Sequence, residues 1–320
     1  MNGGGIKSSI AVLLALIIAG AALWHGAQYA SSITFKSPSL FTPSFSKVSI
    51  LIVGDIMLDR NVRNKINAMG FDAFFAGVRD LISEADIAVG NLEGPFTTYE
   101  SITASLKNKA LQFTFDPALA PELSALGFDI LGLANNHTLN FGVKGLNMTR
   151  EYIRDAGMLY YGDPDNREEI SVVAEKNGIK FGLIGFHEFS YINFDNVMAE
   201  IERLRPEVDV LIVTPHWGPE YESVPTEKMK TRAHEFIDRG ADAVIGTHPH
   251  VVGSVEDYHN KKIFYSLGNF AFDQYFSEET STGLYVIMEV EKRENKIVTN
   301  YKTGIVNIDR DGVREYNSGI

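Results

Sequence analysis

The sequence contains no cysteine, and this absence excludes disulfide bonds and thiolate metal sites. Any metal ion must therefore be held by histidine, aspartate, glutamate or asparagine. Basic residues are also few, because 29 lysines and arginines stand against 41 acids and give a formal net charge of −12 at pH 7. Nucleic-acid-binding proteins need a basic face, so we expect no nucleic-acid partner.

Charged side chains are missing from residues 8–32, SSIAVLLALIIAGAALWHGAQYASS, which follow Lys7. The apolar part, from Ile10 to Ala30, is about as long as the ~20 residues that span a bilayer. The sequence predicts that residues 1–30 form an uncleaved single-pass anchor in the cell membrane, with a cleaved signal peptide as the alternative. Lys7 favours a cytoplasmic amino end, so the bulk of the chain is expected to be extracytoplasmic.

Residues 31–47 combine serine, threonine and two prolines with isolated aromatic residues, which is typical of a tether. After this segment, short apolar runs alternate with amphipathic stretches, and no internal repeat or further linker interrupts them. The alternation predicts one α/β domain over residues 48–320, with strands that are buried on both faces.

Two regions of this domain carry more specific predictions. Apolar residues at helical spacing predict one helix over residues 71–85. Three apolar runs near the end of the chain, at 262–273, 282–291 and 296–308, predict that the sheet structure ends in antiparallel strands.

Polar residues follow the carboxyl ends of the predicted strands. These residues are Asp55, Asn91, Glu93, Asn135, Asn136, His137, His216, His248 and His250. In open α/β sheets, ligands bind at the carboxyl ends of the strands. Imidazole, carboxylate and amide donors together suit Zn²⁺, Mn²⁺ or Fe better than Ca²⁺ or Mg²⁺. The sequence therefore predicts a transition-metal site at one edge of the sheet.

Most of these residues, taken alone, also have a purely structural explanation. Asp55 could cap the next helix, Glu93 could pair with a surface lysine, and His216 could be a hydrogen-bonded core histidine. The two histidines of THPHVV are harder to explain in this way. Extended backbone directs residues i and i+2 to the same side, and a proline favours extended geometry in the residue before it. The rings of His248 and His250 are therefore predicted to face one small volume.

The order of these residues resembles that of the calcineurin-like metallophosphoesterases. The local motifs are similar to one branch, the CapA/PgsA family of capsule and poly-γ-glutamate biosynthesis proteins. These motifs are GDIMLDR, NLEGPFT, LANNHTLNFG, PHWGPEY, GTHPHVV and YSLGNFAFD, and they run in order from about residue 49 to residue 273. The resemblance implies a four-layer αββα sandwich, a membrane-anchored amino end and a centre for two divalent metal ions.

The resemblance also implies which residues hold the ions. The first ion would be bound by Asp55 and His250, the second by Asn136, His216 and His248, and Glu93 would bridge the two. Met57 stands where the superfamily usually has a histidine, and Glu93 replaces a shorter aspartate. The first ion is therefore expected to have one protein ligand fewer than is usual.

Roles in catalysis follow from the same resemblance. His137 would be a free imidazole beside the ions, acting as a general acid or orienting the reacting group, with Asn136 next to it. Arg60 and Asn91 would contact an anion or the substrate. The implied enzyme is a metal-dependent hydrolase of a phosphoester or amide bond in an anionic cell-surface polymer such as poly-γ-glutamate. The alternative is a non-catalytic accessory of a polymer synthase or export complex, with small membrane subunits as partners.

Overall fold

The computed structural model describes residues 45–103, 111–190, 193–294 and 296–315. The predicted anchor at 1–30 and most of the predicted tether at 31–47 lie outside these ranges. Within them, no helix combines the length and the apolar character needed to cross a membrane.

The strands in chain order form two sheets. They are β1 (Phe45–Ile56), β2 (Ile87–Leu92), β3 (Ile130–Gly132), β4 (Leu159–Tyr161), β5 (Ser171–Lys176), β6 (Ile179–His187), β7 (Val210–His216), β8 (Ala243–Ile245), β9 (Val255–Tyr258), β10 (Lys261–Phe264), β11 (Asn269–Ala271), β12 (Thr282–Arg293), β13 (Lys296–Asp309) and β14 (Gly312–Glu315). The first sheet has eight strands in the order β14-β13-β12-β1-β2-β3-β4, with β11 paired to the end of β1. The second sheet has six, in the order β5-β6-β7-β8-β10-β9.

The helices lie between these strands in the chain. They are α1 (Arg60–Met69), α2 (Phe71–Phe74), α3 (Arg79–Ser83), α4 (Leu119–Leu126), α5 (Gly142–Asp155), α6 (Phe194–Leu204) and α7 (Glu227–Arg239), and a 3₁₀ turn, Arg205–Glu207, follows α6. Strands β1 to β4 run parallel, as do β6, β7, β8 and β10, so the carboxyl ends within each set point the same way.

Alternating residues of the central strands divide the core into layers. Ile50 of β1 packs against Phe181 of β6 in the cluster between the two sheets. Its neighbour Leu51 faces the opposite way, into the cluster formed with helices α1 to α5. In the second sheet, Ile184 packs against Phe236 of α7. The order is helix layer, sheet, sheet, helix layer, and the predicted α/β fold with two sheets is confirmed.

The prediction of one continuous helix over residues 71–85 is wrong. The segment forms the two short helices α2 and α3, with Gly77 between them. Gly77 pairs with Arg314 of β14, and its carbonyl accepts a hydrogen bond of 3.1 Å from the amide of Glu315. A Cβ at this glycine would lie 2.9 Å from the Arg314 Cα, so the close approach needs glycine here. This tertiary contact interrupts the helix.

The prediction of antiparallel pairing for residues 262–273 is confirmed only in part, because β10 runs antiparallel to β9 but the other pairings of this segment are parallel. The segment divides into β10, which runs parallel to β8 in the second sheet, and β11, which runs parallel to β1 in the first. The chain crosses between the sheets at Gly268, whose φ of +68° is readily adopted by glycine. The Gly268 carbonyl accepts a hydrogen bond of 3.1 Å from the amide of Asp55. Strands β12 and β13 are antiparallel, as predicted, and β14 adds a further antiparallel strand that was not predicted.

Candidate metal centre

The carboxyl ends of the two sheets bring the polar residues together at one edge. Asp55 lies near the end of β1, Asn91 near the end of β2 and His216 at the end of β7. Glu93 directly follows β2, and the remaining predicted ligands lie on loops after β3 and β8. Asp55 therefore does not cap a helix, since α1 begins at Arg60.

The acidic group consists of Asp55, Glu93 and His250, all of them buried. Their potential ligand atoms lie within 4.8 Å of one another. His250 connects the two carboxylates, because its Nδ1 is 3.3 Å from Asp55 Oδ2 and its Nε2 is 3.6 Å from Glu93 Oε1. A group of two carboxylates and one imidazole with this spacing can bind a divalent cation.

The imidazole group consists of Asn136, His216 and His248. His216 Nε2 lies 2.9 Å from Asn136 Oδ1 and 3.1 Å from His248 Nδ1. Both rings are buried, whereas Asn136 is exposed at the mouth of the site. One amide oxygen and two ring nitrogens thus converge on one small volume.

The carboxylate of Glu93 is the most unusual group of the site. Neither of its oxygens has a hydrogen-bond partner among the described residues. Burial, and then the nearby charge of Asp55, raise the pKa of Glu93 well above its usual range. A buried carboxylate without partners is costly unless a cation neutralises it. This environment fits a bound divalent ion.

The histidines of the imidazole group are held in the neutral form. Burial, and then the neighbouring His250, lower the pKa of His248 to about 3. Burial and the adjacent imidazole of His248 also hold the pKa of His216 well below its usual range. Neutral imidazole offers the lone pair that a transition metal needs, so both rings fit an ion at neutral pH.

Asn91 connects the acidic group to the imidazole group. Its Nδ2 donates a hydrogen bond of 2.7 Å to Asp55 Oδ1 and lies 3.4 Å from His216 Nδ1. Its Oδ1 accepts a hydrogen bond of 3.1 Å from Asn135. These contacts orient the predicted ligands, while a contact between Asn91 and substrate stays a prediction.

Two further residues orient the histidines and were not singled out in the sequence. Thr247 Oγ1 lies 3.0 Å from His216 Nδ1, and Asn269 Oδ1 lies 2.9 Å from His250 Nδ1. Such hydrogen bonds to the second ring nitrogen fix the orientation of metal-binding histidines. The position of Asn269, at the start of β11 in the motif LGNF, was the only sequence signal available for it.

The predicted extended geometry of the His-Pro-His segment is wrong. Strand β8 ends at Ile245, and the φ angles of His248 and His250 are +95° and +59°. Such angles are strained for residues other than glycine and persist where surrounding contacts impose them. Here the amide of His248 donates a hydrogen bond of 3.2 Å to Asp55 Oδ2. The rings nevertheless face a common region, with centroids 5.8 Å apart.

His137 lies beside the acidic group, on a turn that Asn135 fixes. Asn135 Nδ2 donates to the Leu92 carbonyl at 2.8 Å, and its Oδ1 accepts from the amide of His137 at 3.1 Å. The His137 ring packs on Phe113 at 4.3 Å, and its Nε2 is 3.9 Å from Glu93 Oε1. Burial lowers the pKa of His137 to about 4.

A cleft of about 440 Å³ opens next to His137 and His250. Arg60 lies in its wall with a strained φ of +53°, and its guanidinium is 3.2 Å from Asp273 Oδ1. Glu220 and aromatic side chains also line the cleft. The cleft can therefore accept a group of small size next to the acidic group, with Arg60 as a cationic contact.

His187 is the other histidine at this edge of the fold, and the sequence reasoning did not select it. It ends β6 and pairs with His216 of β7 across the parallel strands. Burial lowers the pKa of His187. The rule that selected the other residues, a polar residue at a strand end, would have found it in the run IKFGLIGFHE.

The fold is of the same two-sheet α/β class as that of solved phosphatase and nucleotidase structures. Among solved structures, a phosphatase from Mycoplasma pneumoniae aligns with a TM-score of 0.51 and 14% identity, covering 83% of this chain and 96% of that one. A putative 5′-nucleotidase from Staphylococcus aureus aligns with a TM-score of 0.52 and 14% identity, covering 81% of this chain and 54% of that one. At these identities the likeness establishes the fold.

Within this class, the chain belongs to the family described as bacterial capsule synthesis protein PGA_cap, whose family model matches residues 49–274. The chain is 29% identical to the capsule biosynthesis protein CapA of Bacillus anthracis, over 74% of this chain and 63% of that protein. It is also 29% identical to the PGA biosynthesis protein CapA of Bacillus subtilis, over 86% of this chain and 74% of that one. A probable polyglutamine synthesis accessory protein of Mycobacterium tuberculosis is 26% identical over 59% of this chain and 56% of its own length. The chain thus spans less than two thirds of the Bacillus anthracis relative, and the predicted family is confirmed.

Proposed function

We propose that this chain acts in the biosynthesis of an anionic cell-surface polymer such as poly-γ-glutamate, as a metal-dependent hydrolase of a phosphoester or amide bond. The names of the CapA relatives support the polymer. One observation supports a metal-dependent hydrolase. Glu93 has a buried carboxylate without a hydrogen-bond partner among the described residues, next to Asp55 and His250. Such a carboxylate is stable when it binds a cation.

The two groups of residues fit two divalent ions. The acidic group would hold the first ion and the imidazole group the second, with Glu93 between them. The oxygen and nitrogen donors suit Zn²⁺, Mn²⁺ or Fe²⁺. Ions bound there would supply Lewis-acid chemistry, drawing charge from an attacking water and from the oxygens of a phosphoryl or acyl group.

His137 supplies a hydrogen-bond donor at the edge of the cleft. Asn140 Nδ2 lies 3.2 Å from His137 Nδ1 and donates to the Leu111 carbonyl at 3.2 Å. With the amide in this orientation Nδ1 accepts, and the proton of the neutral ring lies on Nε2. A pKa of about 4 keeps the ring neutral at pH 7, so its role is to orient a reacting oxygen.

Arg60 would hold one anionic group of the substrate in the cleft. Its guanidinium already pairs with Asp273, and Glu220 adds a second negative charge to the lining. A long run of polymer carboxylates would be repelled by these acids, because like charges in one cleft raise the electrostatic energy. The cleft therefore favours a single anionic group close to the scissile bond.

The test is ion content and turnover of the purified full chain. Wild type is expected to retain a transition metal by elemental analysis, and His248→Ala to lose most of it. With Zn²⁺, Mn²⁺ or Fe²⁺ supplied, wild type should hydrolyse a phosphodiester such as bis(p-nitrophenyl) phosphate or a γ-glutamyl anilide. His137→Ala should retain the ion and lose turnover. Wild type without any bound metal would refute the site.

One observation favours the second candidate, a non-catalytic accessory of a polymer synthase or export complex. Met57, which stands where the superfamily usually has a histidine, packs in the apolar cluster below the first sheet. Its Sδ accepts a hydrogen bond of 3.1 Å from the amide of Asp59, so it adds no ligand to the acidic group. Retained metal without turnover on either substrate class would support this accessory role, with small membrane subunits as its partners.

Attachment to the cell membrane through residues 1–30 completes the proposal. The apolar run from Ile10 to Ala30 and its lack of acidic or basic residues support it. The full chain is expected in the membrane fraction after alkaline extraction, with residues 48–320 sensitive to protease added outside intact cells. Release into the medium would instead support a cleaved signal peptide.

A further inference from the structure

The side chain of His187 lies beside the imidazole group, and none of the roles described above uses it. His187 is the register partner of His216 on the adjacent parallel strand. Paired residues of neighbouring strands direct their side chains to the same face of the sheet. The two rings are accordingly close, with centroids 6.1 Å apart.

The orientation of the His187 ring is fixed. Its Nδ1 lies 2.7 Å from the carbonyl oxygen of Pro164, which can only accept a hydrogen bond, so Nδ1 carries the proton. The backbone is held as well, because the amide and carbonyl of His187 both bond to the side chain of Asn166 at 2.8 Å. In the neutral ring the lone pair is therefore on Nε2. A backbone carbonyl on the opposite ring nitrogen is the usual support of a metal-binding histidine.

The Nε2 atom of His187 is buried and has no hydrogen-bond partner among the described residues. Only 6% of the residue is exposed to solvent. Buried ring nitrogens rarely lack a partner, and each exception requires an explanation. Since the ring is next to His216, an ion between the two rings would satisfy this nitrogen.

We propose that His187 is a further ligand of the ion held by the imidazole group, with Nε2 as the donor atom. The inference rests on the proposed function, because it requires an ion at that group. The separation of 6.1 Å between the ring centroids leaves room for an ion with metal–nitrogen distances of about 2.1 Å. The ion would then have three imidazoles and one amide oxygen, a donor set that favours Zn²⁺ or Co²⁺ over Mn²⁺.

The experiment measures ion affinity directly. The full chain is stripped of metal and titrated with Co²⁺, whose visible absorption reports its coordination, and Zn²⁺ is then added in competition. His187→Asn keeps a donor for the Pro164 carbonyl and removes Nε2. It is expected to weaken Co²⁺ and Zn²⁺ binding at least about 10-fold and to change the Co²⁺ band, whereas Mn²⁺ binding changes less. Affinity within twofold of wild type with an unchanged band would overturn the proposal.

Two further variants make the result specific. His187→Gln retains an amide near the position of Nε2, so it should bind more tightly than the asparagine variant and show a shifted Co²⁺ band. It also serves as the test if the asparagine variant does not fold, and an unchanged band would then contradict the proposal. His234→Asn is the matched control, because His234 stacks on Tyr258 and bonds to Glu256. It should bind as wild type does.

Failure of this inference differs from failure of the proposed function. Wild type that binds no transition metal refutes the centre as a whole. Wild type that binds metal, together with an asparagine variant that binds it equally well, refutes only the role of His187. Circular dichroism and a thermal unfolding curve on each variant establish that the compared proteins are folded.

Discussion

Asp59 and Glu93 are both fully buried carboxylates near the ends of neighbouring strands, and their surroundings are opposite. Asp59 accepts hydrogen bonds on both oxygens, from Ser101 at 2.6 Å and Thr103 at 2.6 Å, and it pairs with Arg63. Glu93 has no hydrogen-bond partner among the described residues. Burial alone therefore does not distinguish a structural acid from a functional one.

The difference lies in which groups neutralise the negative charge. Hydrogen bonds and an arginine stabilise ionised Asp59, so this carboxylate connects α1 to Ser101, Thr103 and Thr114. Among the described residues, neither a hydrogen bond nor an arginine stabilises ionised Glu93, and Asp55 next to it adds repulsion. Burying ionised Glu93 therefore lowers the stability of the ion-free protein, and a bound cation would remove that cost. Such a loss of stability is characteristic of residues that are kept for function.

The largest expected effect is that of Glu93→Gln. Loss of this carboxylate from the acidic group should weaken ion binding by at least about 100-fold, the upper end of the loss seen when residues that only support a metal ligand are changed. In the ion-free protein the same change removes a buried carboxyl whose pKa is raised well above its usual range, so the free energy of unfolding at pH 7 should rise, on the order of 1 kcal/mol. Titration calorimetry and urea unfolding measure the two quantities.

Glu220→Gln is the control for this variant, because Glu220 is an exposed acid in the cleft that opens next to His250 of the acidic group. It should leave ion affinity nearly unchanged. A Glu93→Gln protein that is less stable than wild type without ions would show that Glu93 has a structural role, and the contrast with Asp59 would then be wrong.

Asp59→Asn should lower the free energy of unfolding strongly and change ion affinity little, the reverse of what is expected for Glu93→Gln. An amide nitrogen in place of one carboxylate oxygen would face donors from Ser101, Thr103 or the Thr114 amide, and the pair with Arg63 would be lost. Breaking a buried, paired charge costs about 3 kcal/mol, to be measured by urea unfolding. Ion affinity should change by less than tenfold. Asp72→Asn, which alters an exposed ion pair with Arg79, should cost far less.

The pH dependence of the free energy of unfolding should reveal the contribution of ionised Asp59. Burial alone would raise the pKa of Asp59, but hydrogen bonds from Ser101, Thr103 and Thr114 outweigh it and lower the pKa. A carboxyl whose pKa is lower in the folded protein contributes stability above its unfolded value of about 3.9 and loses it as the pH falls further. The difference in stability between wild type and Asp59→Asn should therefore narrow below about pH 4. A constant difference from pH 7 to pH 3 would contradict this assignment.

Much of the site could be predicted from the sequence because parallel strands place their carboxyl ends at one edge. This rule predicts that the polar residues meet, and the resemblance to the calcineurin-like metallophosphoesterases implied their division into an acidic and an imidazole group. The supporting residue Asn269 could not be predicted, since its contact with His250 depends on how the two sheets meet. Thr247 contacts His216 across the adjacent ends of β7 and β8, which depends on the order of strands in the second sheet. His187 fits the same rule, because it is a polar residue at the end of the apolar run IKFGLIGF, but the sequence reasoning did not select it.

The fold shows the same division between local and tertiary causes. Alternating strands and helices were evident from local pattern, whereas the break between α2 and α3 depends on Gly77 pairing with distant β14. The conformation of His248 is another tertiary effect. A following proline favours extended backbone, but the hydrogen bond from the His248 amide to Asp55 accompanies a positive φ instead. Long-range contacts therefore determine the backbone conformation at Gly77 and His248, which the spacing of residues in the sequence did not predict.

Met57→Leu should produce the smallest effect, and it tests whether the residue between Asp55 and Asp59 contributes to ion binding. Met57 lies between Asp55 and Asp59 in the chain, and its side chain packs in the apolar cluster with Sδ accepting from the Asp59 amide. Leucine conserves the volume, so the cost in stability should stay below about 1.5 kcal/mol. Ion affinity by titration calorimetry should remain within twofold of wild type. A tenfold loss would mean that the thioether contacts the ion, and the acidic group would then have a second side chain from the β1 segment rather than one ligand fewer.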